Sequence, residues 1–291
     1  RAFKPTWRKS VAMAFGNHTF HTAPPPAAGG ITAAAMFHLL AEGDRYLDAP
    51  TDERAHLFAE VSKRAFADRQ TWIDVENGVA LDPSRLQSAM DSYNSDQATA
   101  PETLSPPPNR RLENPAATSF VTVDRRGLTV SCAVTMNNLF GTGRVVPGTG
   151  IILAASPAVS GNAATSLSPI VLVNHNTSQL FFAAGSVGGA AAPSALANVM
   201  RGALLDEMPL RDALGASRLH HGGVPDAVLT EPDIDAAIRD SLRRRGHRVV
   251  EVPEIGRVNA VHCPGGVPRS PETCVFATDR RGFGLASGGV L

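Results

Sequence analysis

The sequence predicts an α+β domain built from stacked layers. Runs in which apolar and polar residues alternate, as half-buried strands require, recur between positions 119 and 183 and again between 248 and 287. Helical runs, with apolar residues every three to four positions, lie before, between and among them. Strand runs enclosed by helical runs can hide their apolar faces only by stacking sheet on helix. At 291 residues the chain is long enough to bury one large core.

The elements follow in order. Pro24-Pro25-Pro26 must be extended, because each ring bars its predecessor from the helical region. Gly29-Gly30 then feeds a helix from Ile31 to Glu42, rich in Ala, Leu and Met, that stops at Gly43. Thr51 or Asp52 can cap the next helix, which runs towards Trp72 with Leu57, Val61 and Ala65 on one face. From Asn94 to Pro115 the chain is polar and Pro-rich, includes Pro106-Pro-Pro108, and reads as a mobile linker. Strand patterns come next at Ser119–Asp124, Thr129–Thr135, Ile151–Ala154, Ile170–Val173 and Gln179–Ala183. Pro193 and Pro232 open helices that run to Leu205 and Gly246, each proline standing where a first-turn amide has no helical partner. The tail alternates short strands at Arg248–Val252, Val258–His262, Cys274–Thr278 and Gly284–Ser287.

Composition narrows the function classes. Lys+Arg and Asp+Glu both number 27, so there is no electrostatic case for nucleic acid or an anionic membrane as partner. No run is apolar and long enough for a membrane span, and no charged-then-apolar leader is visible. A cytoplasmic location is the default expectation, although the chain starts at Arg1 and an original leader could be absent. Cys132, Cys263 and Cys274 cannot all pair within one chain and show no zinc spacing; buried structural thiols are expected. Lys4, Lys9 and Lys63 are the only lysines, and the Arg, Ala and Gly excess suggests a GC-rich bacterial genome, such as an actinobacterium's. No metal site and no cofactor are expected. His220-His221 are neighbours that would point to opposite faces of a strand, and Asp279-Arg-Arg281 reads as a surface turn.

The most specific stretch runs from Ala117 to Leu153. It reads Ala117-Thr-Ser-Phe-Val-Thr-Val-Asp124, then Gly127, Thr135, Asn137, Phe140-Gly-Thr-Gly143 and Pro147-Gly-Thr-Gly150-Ile-Ile-Leu153. This resembles the start of the small subunit of the γ-glutamyltransferases, which opens on a threonine nucleophile. Family members have a Thr eighteen residues and an Asn twenty residues after that nucleophile; Thr135 and Asn137 stand at those offsets from Ala117. Pro24-Pro-Pro-Ala-Ala-Gly-Gly30, Ala65-Phe-Ala-Asp-Arg69, Ser166-Leu-Ser-Pro169, Gly185-Ser-Val-Gly-Gly189, Arg218-Leu-His-His221 and Ala277-Thr-Asp-Arg-Arg281 follow the family order across nearly the whole chain.

The resemblance implies a four-layer αββα N-terminal-nucleophile (Ntn) hydrolase fold. It implies residues 1–116 as the end of a large-subunit region, closed by a processing linker over about 94–116, and residues 117–291 as the small-subunit region that pairs with it. The processing site would be the Ala116–Ala117 bond. A threonine hydroxyl needs a neighbouring base, and a threonine that begins its chain has one in its own α-amine, with a reference pKa of about 7.7–8.0. Alanine at 117 supplies no oxygen, so neither self-cleavage nor acyl transfer can start there. Three explanations compete: an engineered Thr→Ala trap of the precursor, a natural pseudoenzyme, and a nucleophile moved to Thr118, which would break both offsets. The resemblance further implies that Thr135 orients the nucleophile, that Asn137 holds substrate or the free amine, and that Gly188-Gly189 aims amides at an oxyanion. Thr165 and Ser166 match the residues that bind a small-molecule substrate's carboxylate.

One segment departs from the family. Typical members continue after Leu153 with an acidic and amide-rich stretch that grips the γ-glutamyl ammonium. Here Ser156 replaces its Glu/Gln and Val159 its second Asp, and a valine cannot pair with an ammonium. A standard γ-glutamyl substrate is therefore not expected. Cephalosporin acylases and the C–C bond hydrolases of actinobacterial 4-alkylproline antibiotic pathways are the relatives with altered pockets, and a non-catalytic binding protein is the remaining alternative.

Overall fold

The computed structural model describes residues 4–69, 71, 82–104, 113, 116–156 and 166–288. Its centre is an antiparallel six-stranded sheet of order β1-β2-β5-β6-β10-β11: β1 Val11–Phe15, β2 His18–Thr22, β5 Ser168–Asn174, β6 Leu180–Val187, β10 Arg257–Val267 and β11 Val275–Ala277. The four longer helices are α1 Gly29–Ala41, α2 Arg54–Asp68, α3 Ala192–Leu204 and α4 Ala236–Arg244. A separate hairpin pairs β3 Ala117–Val123 with β4 Thr129–Thr135, and β7 Leu219–His220, β8 Val228–Thr230 and β9 Val249–Glu251 make a small third sheet.

The layers follow from which side chains point where. β6 is apolar on both faces because it is covered on both: Phe182 and Ala184 join the large core with α1 and α3, whereas Leu180 and Ala183 join Val261, Cys263 and Val267 in a smaller core beneath the hairpin. Helix, six-stranded sheet and hairpin are thus successive layers. α1 has no polar face to spare; Ile31, Met36, Phe37, Leu39 and Leu40 are all fully buried between the sheet and α2. Truncating a ring such as Phe37 in such a place costs about 3–5 kcal/mol.

Two glycines let α1 start where it does. A Cβ on Gly29 would overlap the Ser168 hydroxyl and the Ser166 carbonyl, and one on Gly30 would overlap the Thr22 side chain. The Gly-Gly pair and the Ser-Leu-Ser-Pro element therefore meet in space, and Thr22 Oγ1 donates to the Pro169 carbonyl at 2.8 Å beside them.

The structure revises several expectations. β1 and β2 were not read from the sequence. The helix expected from Pro232 begins at Ala236, where the Asp235 carboxylate accepts from the Ala237 amide at 2.9 Å and makes the better cap. Residues 151–154 form only an isolated bridge, Val145 to Ile152, and 284–287 form no strand. The first part of the expected linker is pinned: Ala98 N donates to Arg245 O at 2.7 Å, and Arg245 Nε to Ser95 O at 2.7 Å. Its residues 105–112, 114 and 115, like Thr165 and Val159, lie outside the described residues. Cys263 and Cys274 form a disulfide across the β10–β11 connection, so only Cys132 is a free thiol. No helix among the described residues is long and apolar enough to cross a membrane.

Candidate functional site

The hairpin register places Ala117 directly opposite Thr135. Thr135 Oγ1 donates to the Ala116 carbonyl at 2.8 Å and accepts from the Asn137 amide at 3.0 Å. Asn137 is buried with a φ of 63°, a left-handed conformation that Asn tolerates better than most residues. Its Nδ2 donates to the Ala155 carbonyl at 2.7 Å, and the Ala155 amide donates to Met136 O at 2.9 Å. Ser156 follows as an exposed residue. Ala116, Ala117, Thr135, Asn137 and Ser156 therefore gather at one end of the hairpin.

Contacts with the large sheet orient that end. Ser119 Oγ donates to the Gly185 carbonyl at 2.9 Å, Asn259 Nδ2 donates to Ser119 O at 2.9 Å, and Ser131 Oγ donates to Ala184 O at 2.7 Å. Further along β3, Val121 packs on the core that holds Leu180 and Ala183. β3 thus runs back along β6, and its first residue, Ala117, lies towards the end of β6 that Gly188 and Gly189 follow. Gly188 has φ 135° and Gly189 φ 62°, both closed to most side-chain-bearing residues. Ser166 is buried at the entry to β5, two residues before Ser168, whose hydroxyl donates to its carbonyl at 2.8 Å.

The histidines of the Arg-x-His-His element each have a side-chain partner. His220 Nδ1 shares a hydrogen bond with Ser194 Oγ at 2.7 Å, and burial, reinforced by His221 and Arg69, pushes its pKa down to about 3. His221 instead meets the Asp226 carboxylate at 3.0 Å, a partner the sequence reading missed. His56, Glu60 and His247 present ligand atoms within 4.8 Å of one another, the geometry of a potential cation site. Glu60 already binds Lys63 Nζ at 2.9 Å and the Arg64 guanidinium, and His56 Nδ1 lies 2.7 Å from His247 Nε2. Burial would raise the Glu60 carboxyl; Lys63, Thr99 and Arg64 overcome it and hold it at about 2. The Glu60 carboxylate is thus shared between two cations, Lys63 and Arg64.

Asp279 is the clearest correction. Rather than lying in a surface turn it is buried, ion-paired with Arg218 at 2.6 Å and with Arg281 at 3.1 Å. The Arg-x-His-His and Thr-Asp-Arg-Arg elements meet here. A buried role could have been suspected from the two charged motifs together, but neither alone names its partner.

A hairpin that begins at residue 117, stacked on a large antiparallel sheet with helices beyond it, defines the class: an Ntn-hydrolase fold of α+β type. The chain belongs to the gamma-glutamyltranspeptidase family, whose sequence profile matches residues 1–157 and 162–288. It is 26% identical over 315 aligned positions to the glutathione hydrolase proenzyme of Pseudomonas aeruginosa, covering 97% of this chain and 55% of that protein. It is 30% identical over 277 to the acylase ACY 1 proenzyme of Pseudomonas sp. (strain V22), covering 87% of this chain and 48% of that one. The cephalosporin acylase of Bacillus halodurans has the same fold, with a TM-score of 0.73 at 23% identity over 96% of this chain and 52% of its own. The chain spans about half the length of the curated relatives it matches.

Proposed function

We propose that the chain carries the nucleophile region of a hydrolase or acyltransferase of this family, in an uncut form with alanine where the threonine nucleophile belongs. The observation that carries the reading is the hydroxyl of Thr135, opposite residue 117, donating to the Ala116 carbonyl at 2.8 Å. With threonine at position 117, the hydroxyl it brings would attack the Ala116 carbonyl carbon while Thr135 steadies the oxygen as it gains charge. The C–N bond then breaks to leave an ester on that hydroxyl oxygen and a free α-amine. Water hydrolyses the ester, Ala116 departs as a carboxylate, and the amine becomes the base for the hydroxyl in later turnovers.

In those turnovers the same hydroxyl would take the acyl group of a small-molecule substrate, with Asn137 near the amine and the Gly188-Gly189 amides at the oxyanion. Thr165, Ser166 and Ser156 would contact the substrate, and residues 1–116 and 117–291 would be the two subunit regions. Their shared sheet, in which β2 pairs with β5, supports lasting association after a cut. Ser156 and Val159 in place of ammonium-binding residues favour an acyl group other than γ-glutamyl. The likeness to an acylase proenzyme supports an amide substrate; the GC-rich composition supports instead the C–C bond hydrolases of actinobacterial antibiotic synthesis. Ala117 itself also fits a catalytically dead binding protein. The Cys263–Cys274 disulfide favours an oxidising compartment over the cytoplasm.

Ala117→Thr in the full-length protein tests the reading. Two fragments are expected, the smaller beginning at the new threonine; a chain that stays whole under native conditions overturns it. Comparing turnover of a γ-glutamyl anilide, acyl amides and unsaturated proline precursors by the cut enzyme then identifies the substrate. Rapid anilide turnover would refute the pocket argument.

A further inference from the structure

We propose that Arg218 is a positioning residue for the Gly188-Gly189 turn and acts on it through Gly256. The inference rests on the reading that this turn receives an oxyanion, and it assigns the buried charges that hold it. The backbone of Gly188 lies flat against Gly256: a Cβ on Gly188 would stand 2.6 Å from Gly256 Cα. Gly256, with φ 60°, is wedged in turn, since a Cβ there would stand 2.7 Å from the Ala195 methyl on α3 and 3.1 Å from the Val187 carbonyl. Two bare backbones in van der Waals contact leave no slack, so the place of Gly188 is set by the place of Gly256.

Gly256 has no side chain with which to hold itself, and the buried charges do so instead. Arg218 Nη1 donates to the carbonyls of Ile255 and Gly256, both at 3.1 Å. Glu231 Oε1 accepts from the Ile255 amide at 2.8 Å, and Asp279 Oδ2 accepts from the Val258 amide at 2.9 Å. Arg218 Nη2 binds Asp279 Oδ2 at 2.6 Å, Glu231 Oε2 accepts the Arg218 amide at 2.9 Å, and Arg281 bridges both carboxylates. Four polar atoms of the short stretch 255–258 are thus fixed by three side chains, all of them buried.

The choice of residues also speaks for positioning. Four ionised groups are costly to desolvate, and apolar residues of similar volume often give equal or greater stability. Only a planar guanidinium offers several donors in a rigid fork that can grip two consecutive carbonyls and a carboxylate at once. Lysine, with one point of charge, cannot reproduce that grip.

The test uses Arg218→Lys and Asp279→Asn in the full chain as it stands, read by amide hydrogen exchange with mass spectrometry. Exchange in the peptide spanning 186–191 should accelerate by about tenfold or more, while the hairpin peptide spanning 117–135 keeps its rate. If Arg218→Lys fails to fold, Asp279→Asn decides alone: asparagine keeps an oxygen for the Val258 amide, and with it the fold, but gives up the charge that anchors the Arg218 guanidinium. Unchanged exchange at 186–191 in a folded variant, or acceleration shared equally by the hairpin, overturns the proposal. In the Ala117→Thr background the same variants should lower kcat about tenfold or more and leave KM within about twofold. An Ala117→Thr parent that neither cuts nor turns over refutes the functional reading, and the exchange result still decides the positioning.

Discussion

The hydroxyl of Thr135 makes the sharpest quantitative prediction. In the Ala117→Thr chain, Thr135→Val removes the donor on the Ala116 carbonyl and the acceptor for the Asn137 amide while keeping the side chain's shape. Loss of one donor from an oxygen that becomes an oxyanion costs about 3 kcal/mol of transition-state stabilisation, so self-cleavage should slow by about 100- to 1,000-fold. The folded state loses far less. An orphaned amide and carbonyl in a half-buried turn cost about 1–2 kcal/mol, a shift in Tm of only several degrees for a chain this size. Rate and stability should therefore separate. The assay refolds each variant from denaturant and follows intact mass against time, with Thr135→Ser as the control that restores the hydroxyl and the rate. If the valine variant cuts within about threefold of the threonine parent, Thr135 does not serve the scissile carbonyl and the argument fails.

Three further outcomes are expected. Burial holds both His220 and His247 at about 3, against an ordinary 6.5, so the unfolded chain binds more protons in acid. Stability is complete above pH 6.5 and falls below it, by about 2 kcal/mol per histidine at pH 5, with Glu60 adding to the loss only under pH 4.5; urea melts at pH 8 and pH 5 measure this. Reducing the Cys263–Cys274 bond, which joins residues 11 apart, should cost about 2–3 kcal/mol, seen as a lower Tm in dithiothreitol that Cys263→Ser/Cys274→Ser reproduces without reductant. Gly29→Ala drives a methyl into Ser168 and the Ser166 carbonyl and should destabilise by about 1–3 kcal/mol in denaturant titration; a neutral effect would show that α1 can shift.

What the sequence revealed depended on whether the signal was local. β4 was legible to the residue, and β3 nearly so, because their β-branched residues and the Asp124–Gly127 turn are written in neighbouring positions. The offsets to Thr135 and Asn137 came from the family resemblance, and in the hairpin Thr135 pairs with Ala117. β1 and β2 escaped although Val11, Met13 and Phe20 are buried; His18, Thr19 and His21 beside them carry too little hydrophobic contrast. Asp279 was misread because its partners, Arg218 and the Val258 amide, lie 61 and 21 positions away. Gly256 carried no signal at all, since what it does is to be small against another glycine. Asn94 to Thr99 read as loose because loops held by distant side chains look no different, in composition, from loops held by nothing. There His56 binds the Asn94 carbonyl at 2.8 Å and Glu60 the Thr99 amide at 3.1 Å.

The pairing of Ala117 with Thr135 is the last rung of a ladder that continues unbroken to Val123 and Thr129. A chain severed before residue 117 would not release its new end into solvent. Seven paired positions would keep it moored, so the freshly made terminus would have a local concentration fixed by strand fraying rather than by diffusion. Whatever chemistry follows a cut there begins with its reacting group already berthed.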